Sequence, residues 1–234
     1  MFFDWTYLVI VLPCVLLSVW ASTNVNSTFK KYANQHSIRH ITGAQAAQRV
    51  LSANGVTGVR IERVGGNLTD HYDPRTNVIR LSDSVHDATS TAAIGVACHE
   101  AGHAVQYAQS YAPIKLRAAI VPVTNFASKL AMPLILLGLV LTFLENFSFT
   151  LVYVGIACFG LSVVFQLITL PVEFNASRRA MQAIEDAGIL TEEEQTGARK
   201  TLTAAALTYV AATAVALAQL LRLLIIFGGR RRRD

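Results

Sequence analysis

The sequence predicts a mainly α membrane protein, with about four transmembrane helices and a small α+β domain between the first two. Three observations predict it. Of the 234 residues, 53% are hydrophobic and 15% charged, where a soluble domain carries about 25% charged residues. The apolar excess is gathered into four stretches, at 2–21, 130–144, 149–171 and 202–227. Between the first two lies a polar segment, 22–117, that is long enough for a small domain and alternates helix-like and strand-like patterns.

A helix needs about 20 apolar residues to cross a bilayer. The stretch at 2–21 is just long enough. Asp4 stands near its start, no Lys or Arg forms a basic n-region and no small-residue cleavage site follows. It therefore reads as a retained anchor, 1–21, rather than a signal peptide.

Within the polar segment, Thr42 can cap a helix over 42–54 with Ala46, Ala47, Val50 and Leu51 as its apolar stripe, stopped by Asn54 and Gly55. Strand-type alternation at 56–64 and 77–81 flanks the turn-rich TDHYDPRTN. Another helix is expected to start near 87–90 and to run to about Tyr111.

The stretch at 130–144 is short alone, so transmembrane helix 2 is expected over 118–147, including Pro122 and Lys129. An interfacial segment or buried hairpin is the alternative there. Helix 3 is expected over 149–171 and helix 4 over 202–227, the latter holding Gln219 and Arg222. The polar piece between them, 172–201, contains VEFNASRRAMQAIEDAGIL, a helix ending at Gly188. A basic tail, 228–234, carries four arginines and much of the net charge of +5. Without interleaved aromatics it reads as an anchor on anionic lipid headgroups, and no nucleic-acid partner is expected. Cys14, Cys98 and Cys158 form no CxxC pair and no disulfide framework. Because two passes return a chain to the side it left, 22–117 and 172–201 are expected to share one membrane face and one site.

The chemistry concentrates in VACHEAGHAVQYAQS, 96–110. On a helix, His99 and His103 stand one turn apart on one face and can present two imidazoles to one ion. Zinc takes such ligands and keeps a position open for water when three protein groups bind it. Glu100 lies beside the first histidine without ligating. There it can take a proton from a metal-activated water and return it to a leaving amine. Gly102 keeps the helix narrow for another backbone. The surrounding residues are apolar, and two histidines and a glutamate are costly there unless partnered.

Two histidines require a third ligand. His103 is the last histidine in the chain, so a later carboxylate must serve. The candidates are Glu145, Glu173, Glu185, Asp186 and the acidic run 192–194. Glu145 falls on the wrong face and the acidic run reads as a solvated helix start capped by Thr191. Glu185 and Asp186 lie near a helix end. Glu173 stands apart, in PVEFNAS at the first turn of its expected helix, where favouring the helix N-terminus is the plainer alternative. Asn175 or Ser177 is expected to orient a ligand from behind.

HEAGHAVQ, LTDHYDPRTNVIRLS, LPVEFNASRRA and LTAAALTYVAA together resemble the YugP-like neutral zinc metallopeptidase family of bacterial membrane proteins, nearly end to end. The resemblance implies a membrane-embedded zinc endopeptidase with a zincin-like domain of the gluzincin type. More distantly the chain is similar to HtpX-type membrane proteases, which pair HExxH with a later ExxxD element. Glu173 matches that glutamate, while Ser177 stands where the aspartate would be.

The expected activity is Zn2+-dependent hydrolysis of peptide bonds in membrane-associated or unfolded proteins. The competing reading is a non-catalytic zinc-binding scaffold or regulatory protein, which gives no use to Glu100. Peptide would bind by strand addition to 56–64 or 77–81. His71, Tyr72, Arg178 and Tyr209 are candidate oxyanion donors, His71 being preferred. The chain is expected in the cell membrane as a multi-pass protein. Lys30 and Lys31 after the first anchor lean the site towards the cytoplasm.

Overall fold

The computed structural model describes residues 4–141, 143 and 145–228. The chain is mainly helical, with four helices long and apolar enough to cross a membrane: Tyr7–Ala33, Ala112–Val140, Phe147–Asp186 and Glu192–Gly228. The arginines of the basic tail lie outside the described residues. By element, a short π-helical turn (Tyr7–Val11) leads into α1 (Leu12–Ala33). There follow α2 (Gly43–Ala53), β1 (Arg60–Val64), β2 (His71–Asp73), β3 (Val78–Ser82), α3 (Thr91–Ala108), α4 (Ala112–Val140), α5 (Glu145–Asp186) and α6 (Glu192–Gly228).

The chain forms two compact units. One comprises 1–20, 116–170 and 209–234. In it Ile135, Val152, Ile156 and Phe227 pack together. Its unexpected feature is the partner of Arg222, the one charge inside the last apolar stretch. The guanidinium Nη2 lies 3.4 Å from Asp4 Oδ2, and the group sits 5.5 Å from the centre of the Tyr7 ring. A charge among apolar helices is costly alone and is retained where a counter-charge neutralises it. Asp4, ahead of the first helix, supplies it.

The other unit comprises 21–115 and 171–208, so the two polar segments of the sequence fold together. Thr42 caps α2 as expected, in a reciprocal capping box with Gln45. Ser90 caps α3, its hydroxyl accepting from the Ala93 N–H. The sheet has three strands in the order β1-β3-β2. β1 runs parallel to β3, with Arg60 opposite Val78, and β2 antiparallel to it, with Tyr72 opposite Ile79. The sequence reading assigned His71–Asp73 to a turn. Only 74–77 turns, and the three residues before pair with β3. Alternation over three residues is too short to register as a strand.

The core gathers Ala46, Val50 and Leu51 of α2, Ile79 and Leu81 of β3, Ile94, Ala97 and Ala101 of α3, and Ala180 and Ile184 of α5. Each large member contributes about 1.5–3 kcal/mol by leaving water. α3 is buried almost all round. Its small residues let neighbouring backbones approach.

Two sequence expectations need correction. Glu173 was expected at the start of a helix after Pro171, but α5 runs unbroken through Pro171. The proline removes one helical hydrogen bond at a cost of about 3 kcal/mol. Val172, Ala176 and Ala180, which follow it on the same helix, are each fully buried. The acidic run 192–194 was expected to be solvated. Glu194 is instead 4% exposed, accepting from Thr191 N at 2.9 Å and from Ile38 N at 2.7 Å. Glu192 and Glu193 are exposed as expected, while Glu194 closes the helix cap with Thr191 and pins the loop before α2.

Candidate metal centre

All of the site described here lies within the second unit. α3 presents His99 and His103 on one face, their rings edge-to-face with centroids 4.7 Å apart. The facing element is α5. Gly102 makes the approach possible, because a Cβ there would meet the Ala176 carbonyl oxygen at 2.8 Å. One turn earlier on α5, Glu173 is 2% exposed. Its Oε2 lies 3.2 Å from His99 Nε2 and 3.4 Å from His103 Nε2. Thus the residue preferred from sequence as third ligand is the one that meets the histidines. One donor atom from each of the three lies within 4.8 Å of the others.

The donors fit zinc. Two imidazoles and a carboxylate form a borderline N,N,O set, and three protein ligands leave an open position. The separations of 3.2 and 3.4 Å are close to the ~3.4 Å edge of a tetrahedron with bonds of about 2.1 Å.

Behind the ligands the partners differ. His99 Nδ1 lies 3.1 Å from the Ser177 hydroxyl. His103 Nδ1 lies 3.0 Å from Gln106 Oε1. Gln106 is fully buried, and its amide nitrogen contacts Val172 O and Asn175 Oδ1, each at 2.9 Å. So Asn175 and Ser177 both stand behind a histidine, Asn175 through Gln106. The sequence reading did not single out Gln106. The signal was present in HEAGHAVQ, where a polar side chain three residues after His103 falls on the histidine face.

Burial alone would lower the pKa of His103. The hydrogen bond to Glu173 and the charges of Glu100 and Glu173 outweigh it, so the imidazole is held above its ordinary value. Glu100 is 9% exposed and its charge is also felt by Asp70, a residue missed in the sequence. Burial chiefly, and Glu100 in part, raise the Asp70 carboxyl. Asp70 is held by the Ser82 N–H at 2.7 Å and the Ser82 hydroxyl at 2.9 Å, which ties the loop before β2 to the end of β3.

The remaining candidates are dispersed. His71 is exposed on β2, outside the ligand group, with Nδ1 2.9 Å from the Thr69 carbonyl. Tyr72 donates to Asn77 Oδ1 at 2.7 Å and packs its ring on Tyr107 of α3. Arg178 is exposed, and Tyr209 belongs to the other unit. As for strand addition, 77–81 cannot receive a peptide, since β3 is the central strand. Both edges of a central strand are already paired.

Gly102→Ala is expected to destabilise the protein despite alanine's better helix propensity. Overpacking costs about 1–3 kcal/mol, against a propensity gain of about 1 kcal/mol. Gly160, with nothing near its would-be Cβ, is the control. Thermal unfolding should show a lower midpoint for Gly102→Ala and no loss for Gly160→Ala.

Comparison with known proteins identifies the family. The family described as "Putative neutral zinc metallopeptidase" matches residues 7–228. "Putative membrane protease YugP" of Bacillus subtilis (strain 168) is 47% identical over 221 residues, covering 94% of this chain and 96% of that protein. No solved structure matches. With a match that takes in the ligand helix, Glu173 and all four apolar helices, the chain belongs to this family of neutral zinc metallopeptidases.

Proposed function

We propose that the protein is a zinc-dependent endopeptidase of the cell membrane that hydrolyses peptide bonds in membrane-associated or unfolded proteins. The observation that carries this reading is the meeting of His99, His103 and Glu173 beside Glu100, a carboxylate of the same helix outside that group. His99 and His103 would hold the metal through Nε2 and Glu173 through a carboxylate oxygen. Bound there, zinc supplies Lewis acidity towards a water and a peptide carbonyl.

The chain's own residues supply the rest. Glu100 accepts the proton of the attacking water as oxygen adds to the carbonyl carbon. It then returns that proton to the amide nitrogen as the C–N bond breaks. Ser177 and Gln106 hold the imidazoles. β2 is an edge strand whose Tyr72 packs against Tyr107 of α3, so an extended peptide added to it would run beside the ligand helix. His71 on that strand is the proposed oxyanion donor. With Nδ1–H given to Thr69, it donates through Nε2 only as the imidazolium. The slight excess of Lys30 and Lys31 over Asp4 supports a cytoplasmic site.

The test is proteolysis of an unfolded protein such as casein by the purified chain in detergent. Cleavage should stop on chelation and return with zinc. Cleavage indifferent to chelator would overturn the proposal.

A further inference from the structure

We infer that Gln106, its amide oriented by Arg179 through Asn175 and by the Val172 carbonyl, holds His103 with its proton on Nδ1 and its Nε2 free to ligate. The inference deepens the zinc reading and rests on it for its purpose, but the argument runs on donors and acceptors alone.

An arginine side chain has five N–H donors and no acceptor. Arg179 Nε donates to the Asn175 side chain at 2.7 Å, so the atom it meets must be the carbonyl oxygen Oδ1. The Gln106 atom 2.9 Å from that same oxygen must then be the amide nitrogen. A second acceptor requires the same orientation, since this nitrogen also lies 2.9 Å from the Val172 carbonyl oxygen. Both N–H groups of the Gln106 amide are thereby used. Its oxygen is left facing His103 Nδ1 at 3.0 Å, and an amide oxygen only accepts. Nδ1 therefore carries a hydrogen. Nε2, the atom 3.4 Å from Glu173 Oε2, faces a second acceptor and gives up its own hydrogen only where a metal ion takes the lone pair.

The outer end of this chain is anchored as well. Arg179 Nη1 donates to Gln109 Oε1 at 2.6 Å, and the guanidinium lies 5.9 Å from the centre of the Tyr111 ring. Gln106 is fully buried, so no water can substitute for a reversed amide, and reversal would set its oxygen against two other oxygens. His99 has no such device. Its Nδ1 partner is the Ser177 hydroxyl, which can donate or accept. The two ligands are thus held unequally. Gln106 and Arg179 are positioning residues, the second acting at two removes.

The decisive measurement is made on the wild-type chain. NMR of protein carrying 15N-histidine, with His103 identified by the signal lost in His103→Asn, should show His103 protonated on Nδ1. This is expected in zinc-loaded protein. Zinc-loaded protein with the hydrogen on Nε2 and the metal on Nδ1 would overturn the inference.

Zinc affinity, by competition with a chelating dye, gives the second readout. Gln106→Met should bind zinc roughly 10–100-fold more weakly with its fold intact by circular dichroism. Asn175→Asp, which keeps the accepting oxygen, should bind near wild type, and Arg179→Met should fall between. Unchanged affinity in folded Gln106→Met would overturn the positioning role. Should that variant fail to fold, the zinc affinity of Arg179→Met decides the positioning role, wild-type affinity there overturning it. If wild type binds no zinc, the metal reading fails, and a metal-free His103 with no hydrogen on Nδ1 would overturn the inference as well.

Discussion

Glu100→Gln is expected to abolish most peptide cleavage, lowering kcat/KM by roughly 10²–10⁴-fold, while zinc content stays at the wild-type level. The substitution preserves shape and removes only the ability to accept a proton. Glu100 belongs to α3 but not to the convergent donor group, so the ligands should be undisturbed. Removing its charge also relieves one of the influences that raise the Asp70 carboxyl, so the folded protein should not lose stability on that account. Metal analysis and thermal unfolding beside a cleavage assay separate these effects. Wild-type turnover in zinc-loaded Glu100→Gln would remove the assigned base.

The second large effect is expected from Glu173→Ala. Loss of an outer-shell partner costs about 10–100-fold in metal affinity, and loss of a direct ligand should exceed that, leaving the purified protein without zinc. Two imidazoles on one helix then remain, with nothing across from them. His99→Ala should behave alike. Because Glu173 is 2% exposed, truncation also leaves a hole between α3 and α5, so Glu173→Gln is the companion that keeps volume. Loss of zinc with the melting midpoint of metal-free protein unchanged identifies a ligand. Full zinc retention in either variant would assign the third position to another carboxylate.

These two expectations draw on different kinds of information. The pairing of His99 with His103 and the neighbouring position of Glu100 follow from a period of 3.6 residues and are legible in five letters. Thr42 as a cap was legible for the same reason, since capping is chemistry over three or four residues. Glu173 could be narrowed to by elimination and by resemblance, but its environment could not be. It was read at a helix start and sits in the middle of a 42-residue helix. β2 was lost because three residues carry no usable period, and its existence depends on β3 already being in place. Glu194 was taken for a solvated charge because its second partner, the Ile38 backbone, is 156 residues away in the chain.

By itself the sequence determined which segments are apolar enough to leave water, where α2 and α3 begin, and that two imidazoles and a carboxylate share one turn of α3. Each depends on neighbours within a few residues, whose geometry the backbone period dictates. The tertiary structure decided what no local period can express. It set the Ala176 backbone against Gly102, carried Glu173 to both Nε2 atoms, gave Arg222 its partner in Asp4, and turned Gln106 so that one face of His103 is bound and the other free. Those outcomes depend on which distant surfaces bury one another, and burial is settled by the whole chain at once.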